Sequence, residues 1–161
     1  MYNLSFLSFG LKECFFVYTV KHFIIRNIFR QDFFNIFHIL FVDDEPALAK
    51  MGKQLLESLG YQVEMITKSS DALELFRKKP DRFDLVITDM TMPKMTGDQL
   101  ARKIMDIKPD ISVILCTGFN ETINEEKALS MGIDKYIMKP IVKDELARTI
   151  RTVLDTPKDL P

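Results

Sequence analysis

Short apolar runs recur at regular intervals from residue 38 to the end of the chain. Five of these runs, rich in β-branched and aromatic residues, predict strands over residues 38–42, 61–66, 83–88, 111–116 and 135–138. Within them, Leu85–Ile87 and Val113–Leu115 are apolar without alternation. This is typical of parallel strands that are covered on both faces, so the pattern favours a buried parallel sheet.

The segments that follow these runs carry apolar residues at spacings of three and four, which predicts helices. The helical spacing covers residues 48–59, 72–76, 100–107, 128–131 and 146–154. Gly60 and Gly132 follow the first and fourth of these segments, and Pro109 follows the third, as is common at helix ends. Five strands that alternate with five helices predict an α/β fold with a doubly wound parallel sheet, because parallel neighbours need a covered, right-handed crossover.

Polar side chains follow four of the predicted strands, at the edge where an open parallel sheet places its ligand site. In chain order they are Asp43, Asp44 and Glu45, then Asp89, Thr117 and Lys139. Carboxylates that converge repel each other unless a cation lies among them, and oxygen ligands suit Mg²⁺. A dication held opposite a lysine and a hydroxyl suits phosphoryl transfer, in which a carboxylate can itself attack phosphorus.

Four strings at the ends of these strands resemble the receiver domain of two-component response regulators, the CheY-like family. They are Phe41-Val-Asp-Asp-Glu-Pro46, Asp89-Met-Thr-Met-Pro-Lys-Met-Thr-Gly97, Cys116-Thr-Gly118 and Tyr136-Ile-Met-Lys-Pro140. The resemblance implies a flavodoxin-like strand order 2-1-3-4-5 with helices on both faces. It divides the chain into a leader over residues 1–37, a receiver domain over 38–154 and a short polar tail over 155–161.

The same resemblance implies a phosphoacceptor site with a magnesium ion. Asp89 would accept a phosphoryl group from the phosphohistidine of a sensor histidine kinase or a phosphotransfer domain. Asp44 would bind Mg²⁺ directly and Asp43 through water, with Asp89 and the backbone carbonyl of Thr91 as the remaining protein ligands.

The resemblance also implies a conformational switch. Lys139 would pair with the phosphoryl oxygens and Thr117 would donate its hydroxyl to them, while Tyr136 matches the position of the aromatic switch residue of the family. About two negative charges appear at the acceptor on phosphorylation, which pulls the hydroxyl donor over and opens a space for the ring. The protein would then promote both its own phosphorylation and its own dephosphorylation, the latter slowly, without being an enzyme.

The expected output is an interface. After the last predicted helix only residues 155–161 remain, which leaves no room for an output domain. We therefore expect a downstream protein to bind a face of the receiver itself. This face is made by the fourth predicted helix, the fifth strand and the fifth predicted helix, about residues 122–154. A stand-alone regulator and the receiver of a hybrid histidine kinase both fit this expectation.

Charge and cysteine content indicate which cellular compartment and which classes of binding partner to expect. The 22 basic and 23 acidic residues nearly balance, which disfavours direct nucleic-acid binding driven by charge. Cys14 and Cys116 are too few for a disulfide framework or for a zinc site of the Cys₄ kind. We therefore expect a reducing, cytoplasmic location.

The leader, residues 1–37, holds nine of the thirteen Phe residues, yet its longest uncharged run is the eleven residues that precede Lys12. That run is shorter than the roughly 20 residues that a membrane span needs. Three interpretations are open: an artefact of an upstream start, an amphipathic helix on a membrane or a partner, and docking on the receiver itself. The first is preferred because no polar linker precedes His38, and membrane contact by the leader is not expected.

Two other classes of α/β protein use residues of the same kinds at the same strand ends. A Mg²⁺-dependent aspartate-nucleophile phosphatase is the alternative function, but it needs a second acid two positions after the nucleophile, where this chain has Thr91. A flavin-binding module needs a glycine- and hydroxyl-rich phosphate loop after the first strand, where Asp43, Asp44 and Glu45 have the wrong charge.

Overall fold

The computed structural model describes residues 36–118 and 132–156. The chain divides into two units, Met1–Asn35 and Ile36–Pro161, and every described residue belongs to the second. Nearly all of the leader, the predicted helix over residues 128–131 and residues 157–161 of the tail lie outside the described ranges.

Five strands form a single parallel sheet. They are β1 His38–Val42, β2 Gln62–Ile66, β3 Leu85–Asp89, β4 Ser112–Thr117 and β5 Lys135–Met138. The strand order is β2-β1-β3-β4-β5, and each neighbouring pair is parallel. The predicted α/β class and the predicted order 2-1-3-4-5 are confirmed.

The described residues contain four α-helices, α1 Pro46–Ser58, α2 Ser69–Lys78, α3 Gly97–Met105 and α4 Lys143–Asp155, and a 3₁₀ turn at Pro80–Arg82. Helix α3 ends at Met105, before the end of the predicted range 100–107, and Ile107 lies in the turn that follows the helix. The N–H groups of Ile107 and Lys108 both donate to the carbonyl of Ile104 at 3.0 Å. The next residue, Pro109, disfavours helical backbone immediately before it, so the helix closes early.

The core has two halves, one on each face of the sheet, because successive side chains of a strand point to opposite faces. On one face, Leu40 and Val42 of β1 belong to the same buried cluster as Phe76 of α2 and Ile104 of α3. The opposite face carries Ile39 and Phe41 of β1 with Leu56 of α1 and the apolar residues of α4: Leu146, Ile150, Val153 and Leu154. Helices therefore cover both faces, and the strand ends are left as the place for polar chemistry.

None of the helices in the described ranges combines the length and the apolar character that crossing a bilayer requires.

Candidate functional site

The carboxyl ends of β1 and β3 stand side by side at the centre of the sheet. Val42 of β1 pairs with Thr88 of β3, so the next residues along the two strands, Asp43 and Asp89, are neighbours. The strand order reverses at β1, which lies between β2 and β3. Open α/β sheets bind their ligands at such a point, and the structure places two predicted site residues there.

One ammonium group bridges the two carboxylates. Lys139 Nζ lies 2.9 Å from Asp43 Oδ2 and 2.6 Å from Asp89 Oδ1. The carboxylate residues are buried, with 2% of Asp43 and 7% of Asp89 exposed. Two buried carboxylates that are close enough to contact the same ammonium group need a positive charge between them, and Lys139 supplies it.

The environment keeps Lys139 charged. Burial by itself lowers the pKa of the Lys139 ammonium, but hydrogen bonds and charge attraction from Asp89 and Asp43 outweigh burial, so the pKa is raised above its ordinary value. The backbone positions the side chain as well, since the N–H of Lys139 donates to the carbonyl of Thr117 at 2.8 Å.

Backbone donors hold the second oxygen of each carboxylate. The N–H of Glu45 donates to Asp43 Oδ1 at 3.0 Å, and the N–H of Thr91 donates to Asp89 Oδ2 at 3.0 Å. Each carboxylate therefore has one oxygen on the ammonium and the other on a backbone amide, which fixes its orientation. Neither donor is apparent from the sequence, because a sequence pattern does not report where a backbone N–H points.

The other predicted residues lie at the same edge of the sheet. Thr117, the last residue of β4, is buried and 4% exposed. Tyr136 on β5 is half-buried and packs against the cluster that contains Leu115, its partner across the strands. The side chain of Thr91 is exposed. The structure thus brings Lys139 together with Asp43 and Asp89 and places Thr117 and Tyr136 on the two adjoining strands.

Asp44 differs from its neighbour, because it is exposed while Asp43 is buried. In the described ranges, no group of three or more His, Cys, Asp and Glu side chains is close enough to hold a metal ion. Two buried carboxylates nevertheless meet at one point, and Mg²⁺ commonly takes only one or two carboxylates while it keeps several waters. The carboxylates of Asp43 and Asp89 therefore fit a hard dication, and Asp44 is the exposed residue that follows Asp43 in the sequence.

Hydrogen bonds anchor both ends of the loop that follows Asp89. The N–H of Met90 donates to the carbonyl of Cys116 on β4 at 2.8 Å, and the carbonyl of Met90 accepts the N–H of Gly97 at 2.9 Å. Thr96 then begins α3 as its N-cap, with its N–H bonded to Gln99 Oε1 at 3.4 Å. The loop is therefore anchored to the sheet on one side and to a helix start on the other.

Comparison with known proteins gives a consistent picture. A family model described as response regulator receiver domain matches residues 39–151. The chain is 32% identical over 117 residues to the probable transcriptional regulator ycf27 of Cyanidium caldarium, and 36% identical over 112 residues to the two-component response regulator ORR24 of Oryza sativa subsp. indica.

A solved structure of the same family is also similar to this chain. The crystal structure of a response regulator receiver domain protein from Clostridium thermocellum superposes with a TM-score of 0.71 and 33% identity, and the match covers 74% of this chain and 95% of that one. The two curated relatives are longer: their alignments cover 73% and 70% of this chain but 46% and 18% of the relatives. The chain therefore spans less than half the length of either curated relative.

Proposed function

Because the chain belongs to the response regulator receiver domain family, we propose that it is the phosphoacceptor of a two-component phosphorelay, with Asp89 as the acceptor. The observation that carries the proposal is the buried Asp89 carboxylate, which is paired with the Lys139 ammonium at 2.6 Å and lies beside Asp43. The proposed donor is the phosphohistidine of a sensor histidine kinase or of a phosphotransfer domain.

In the proposed step, a carboxylate oxygen of Asp89 attacks the phosphorus of phosphohistidine. A P–O bond forms while the P–N bond breaks, and the electron pair of the P–N bond returns to the imidazole, which takes up a proton. Lys139, already charged and within reach of Asp89, pairs with the phosphoryl oxygens. The buried hydroxyl of Thr117 is the proposed further donor to them.

Asp43, Asp44, Asp89 and the backbone carbonyl of Thr91 are the proposed protein ligands of Mg²⁺. When bound, the ion supplies positive charge to the transferring oxygens. Asp43 and Asp89 are the better supported ligands, because both are held in fixed orientation at one point.

The proposed output is a change of shape near β5. A phosphoryl group adds about two negative charges beside Lys139 and draws Thr117 towards it. Tyr136 on the adjoining strand then occupies the space that Thr117 leaves, and the surface around residues 122–154 changes for a downstream protein. Residues 132–154 of that surface belong to the described part of the chain.

Radiolabelled acetyl phosphate with Mg²⁺ tests the proposal. The wild type should take up a label that hydroxylamine removes, as expected of an acyl phosphate, and Asp89→Asn should abolish it. Asp71→Asn, a substitution on the exposed side of α2, is the matched control and should keep the label. Label that persists on Asp89→Asn would place the acceptor elsewhere. Catalytic turnover of a free phosphomonoester would favour the aspartate-nucleophile phosphatase instead, since we propose that the chain is not an enzyme.

A further inference from the structure

Gly97, the first residue of α3, is buried against the backbone of the acceptor residue. A Cβ atom at Gly97 would lie 2.1 Å from the carbonyl oxygen of Asp89, 2.9 Å from its carbonyl carbon and 3.1 Å from the Cα atom of Met90. Real Cβ atoms essentially never lie closer than 3.0 Å to such neighbours. The start of α3 and the end of β3 therefore approach to a distance that only glycine permits.

All three neighbouring atoms belong to the backbone, so no change of side-chain rotamer can make room for a methyl group. Gly52 on α1 provides a contrast, because a Cβ there would meet ring atoms of Phe41, the nearest at 2.4 Å. At Gly97, relief requires a movement of the backbone itself.

The backbone at Asp89 and Met90 is hydrogen-bonded on two sides. Asp89 pairs with Cys116 in the β3–β4 register, and the N–H of Met90 donates to the carbonyl of Cys116 at 2.8 Å. On the other side, the N–H of Gly97 donates to the carbonyl of Met90 at 2.9 Å. Met90, the residue after Asp89, is thus hydrogen-bonded to β4 on one side and to the first residue of α3 on the other.

We propose that Gly97 is a positioning residue for Asp89: its lack of a side chain lets the start of α3 rest on the Asp89 carbonyl and so sets where the carboxylate lies relative to Lys139. This inference rests on the proposed function of Asp89. It adds a role to a residue that contributes no polar side chain to the site.

The contact between Gly97 and the Asp89 carbonyl also affects the loop that joins these two residues. The N–H of Thr91 in this loop donates to Asp89 Oδ2 at 3.0 Å and orients the carboxylate. A methyl group at Gly97 must separate α3 from the Asp89 carbonyl by roughly 1 Å, the difference between 2.1 Å and the 3.0 Å limit. A misplacement of about 1 Å at a reacting group can lower a rate by about 100-fold.

The test compares Gly97→Ala with Gly52→Ala in the full chain. Both substitutions add one methyl group to a buried glycine, but only the first lies against the acceptor. The readouts are the rate of labelling by acetyl phosphate with Mg²⁺, corrected for the folded fraction, and the amide resonance of Thr91 without phosphodonor. The amide resonance reports the hydrogen bond to Asp89 and needs no activity.

We expect Gly97→Ala to lower the corrected labelling rate by about 10- to 100-fold and to shift the Thr91 amide. Gly52→Ala should leave both unchanged. A corrected rate for Gly97→Ala within about twofold of the wild type, or an equal loss in Gly52→Ala, overturns the inference. An unlabelled wild type would instead overturn the proposed function.

A second variant covers the case in which Gly97→Ala does not fold. Thr96→Ala removes the N-cap hydroxyl of α3 without adding an atom near Asp89, and the loss of a cap loosens the first turn of the helix. The Thr91 amide should shift and the labelling rate should fall. An unchanged amide together with an unchanged rate contradicts the positioning role.

Discussion

Lys139 and Asp43 are 96 positions apart in the sequence, and their side chains meet at 2.9 Å. This contact ties the residue after β5 to the residue after β1 across the carboxyl edge of the sheet. Because Lys139 also contacts Asp89 at 2.6 Å, one cation lies between two buried carboxylates and balances one of their two negative charges. Loss of the lysine would therefore leave two buried carboxylates without a counter-charge.

Lys139→Ala should destabilise the fold most when no divalent cation is present. Its removal leaves Asp43 and Asp89 as buried neighbours of like charge. Because the Lys139 side chain is 24% exposed, we expect the free energy of unfolding to fall by about 3 kcal/mol, the low end for a broken buried pair. Urea denaturation at neutral pH in EDTA measures this loss, and added Mg²⁺ should restore part of it. Lys143→Ala, at the exposed start of α4, is the control. Equal urea midpoints for Lys139→Ala and the wild type in EDTA would argue against the stabilising role.

Asp44→Ala should weaken Mg²⁺ binding without unfolding the protein. Asp44 is exposed, so its loss leaves no cavity, but it removes one oxygen ligand from the proposed site. Isothermal titration should show a Kd for Mg²⁺ raised about tenfold or more. Glu45→Ala removes the adjacent exposed carboxylate and should leave the Kd nearly unchanged. If the two variants bound Mg²⁺ equally well, Asp44 would not be a ligand.

Gly52→Ala should overpack the contact between α1 and β1. The new Cβ would lie 2.4 Å from Cζ of Phe41, a ring that is only 2% exposed. Overpacking of this kind costs about 1–3 kcal/mol in the free energy of unfolding, measured by urea denaturation. At Gly118 a Cβ meets nothing within 4 Å, so Gly118→Ala is the packing control. Phe41→Leu should rescue Gly52→Ala in part, and two fully additive losses would mean that the ring is not the cause.

Lys94→Gly should stabilise the fold. The φ angle of Lys94 is 70°, a left-handed conformation that strains residues with a Cβ atom. Glycine removes the strain but increases the entropy of the unfolded chain, so we expect a net gain of about 0.5–1 kcal/mol. Lys94→Ala removes the same charge and keeps the Cβ. It should show no gain, and a gain as large as that of the glycine variant would assign the effect to charge.

Stability should decline as the pH rises above about 9. Burial raises the pKa of the Cys116 thiol from 9.0 to about 12, and burial also raises the pKa of the Tyr61 hydroxyl. Between the unfolded and the folded pKa the native state binds more protons than the unfolded state. The contribution is therefore complete below the unfolded pKa and is lost as the pH rises towards the folded one.

Urea denaturation at increasing pH measures this decline, which for a single thiol is at most about 1.4 kcal/mol per pH unit. Cys116→Ala removes the contribution of the thiol and should make the decline less steep. A wild-type stability that stayed constant well above pH 9, or a slope unchanged in Cys116→Ala, would show that the thiol is not protected by burial.

The strands were predicted well because their signal is local. The bounds of β1 and β5 agree with the prediction, and those of β2, β3 and β4 differ from it by one or two residues. The apolar runs of a buried parallel sheet are marked by composition alone. Helix ends were less certain, as Ile107 shows, because the end of α3 depends on hydrogen bonds that a periodic pattern does not encode.

The sequence predicted the strand order through its family motifs, and it indicated which residue types lie at the strand ends. The packed fold established which of these residues meet. It placed Lys139 between Asp43 and Asp89, left Asp44 exposed, and brought Gly97 against the Asp89 carbonyl. The reason is physical: the periodicity of a segment reports how that segment folds, whereas contacts between distant segments depend on the packing of helices onto the sheet.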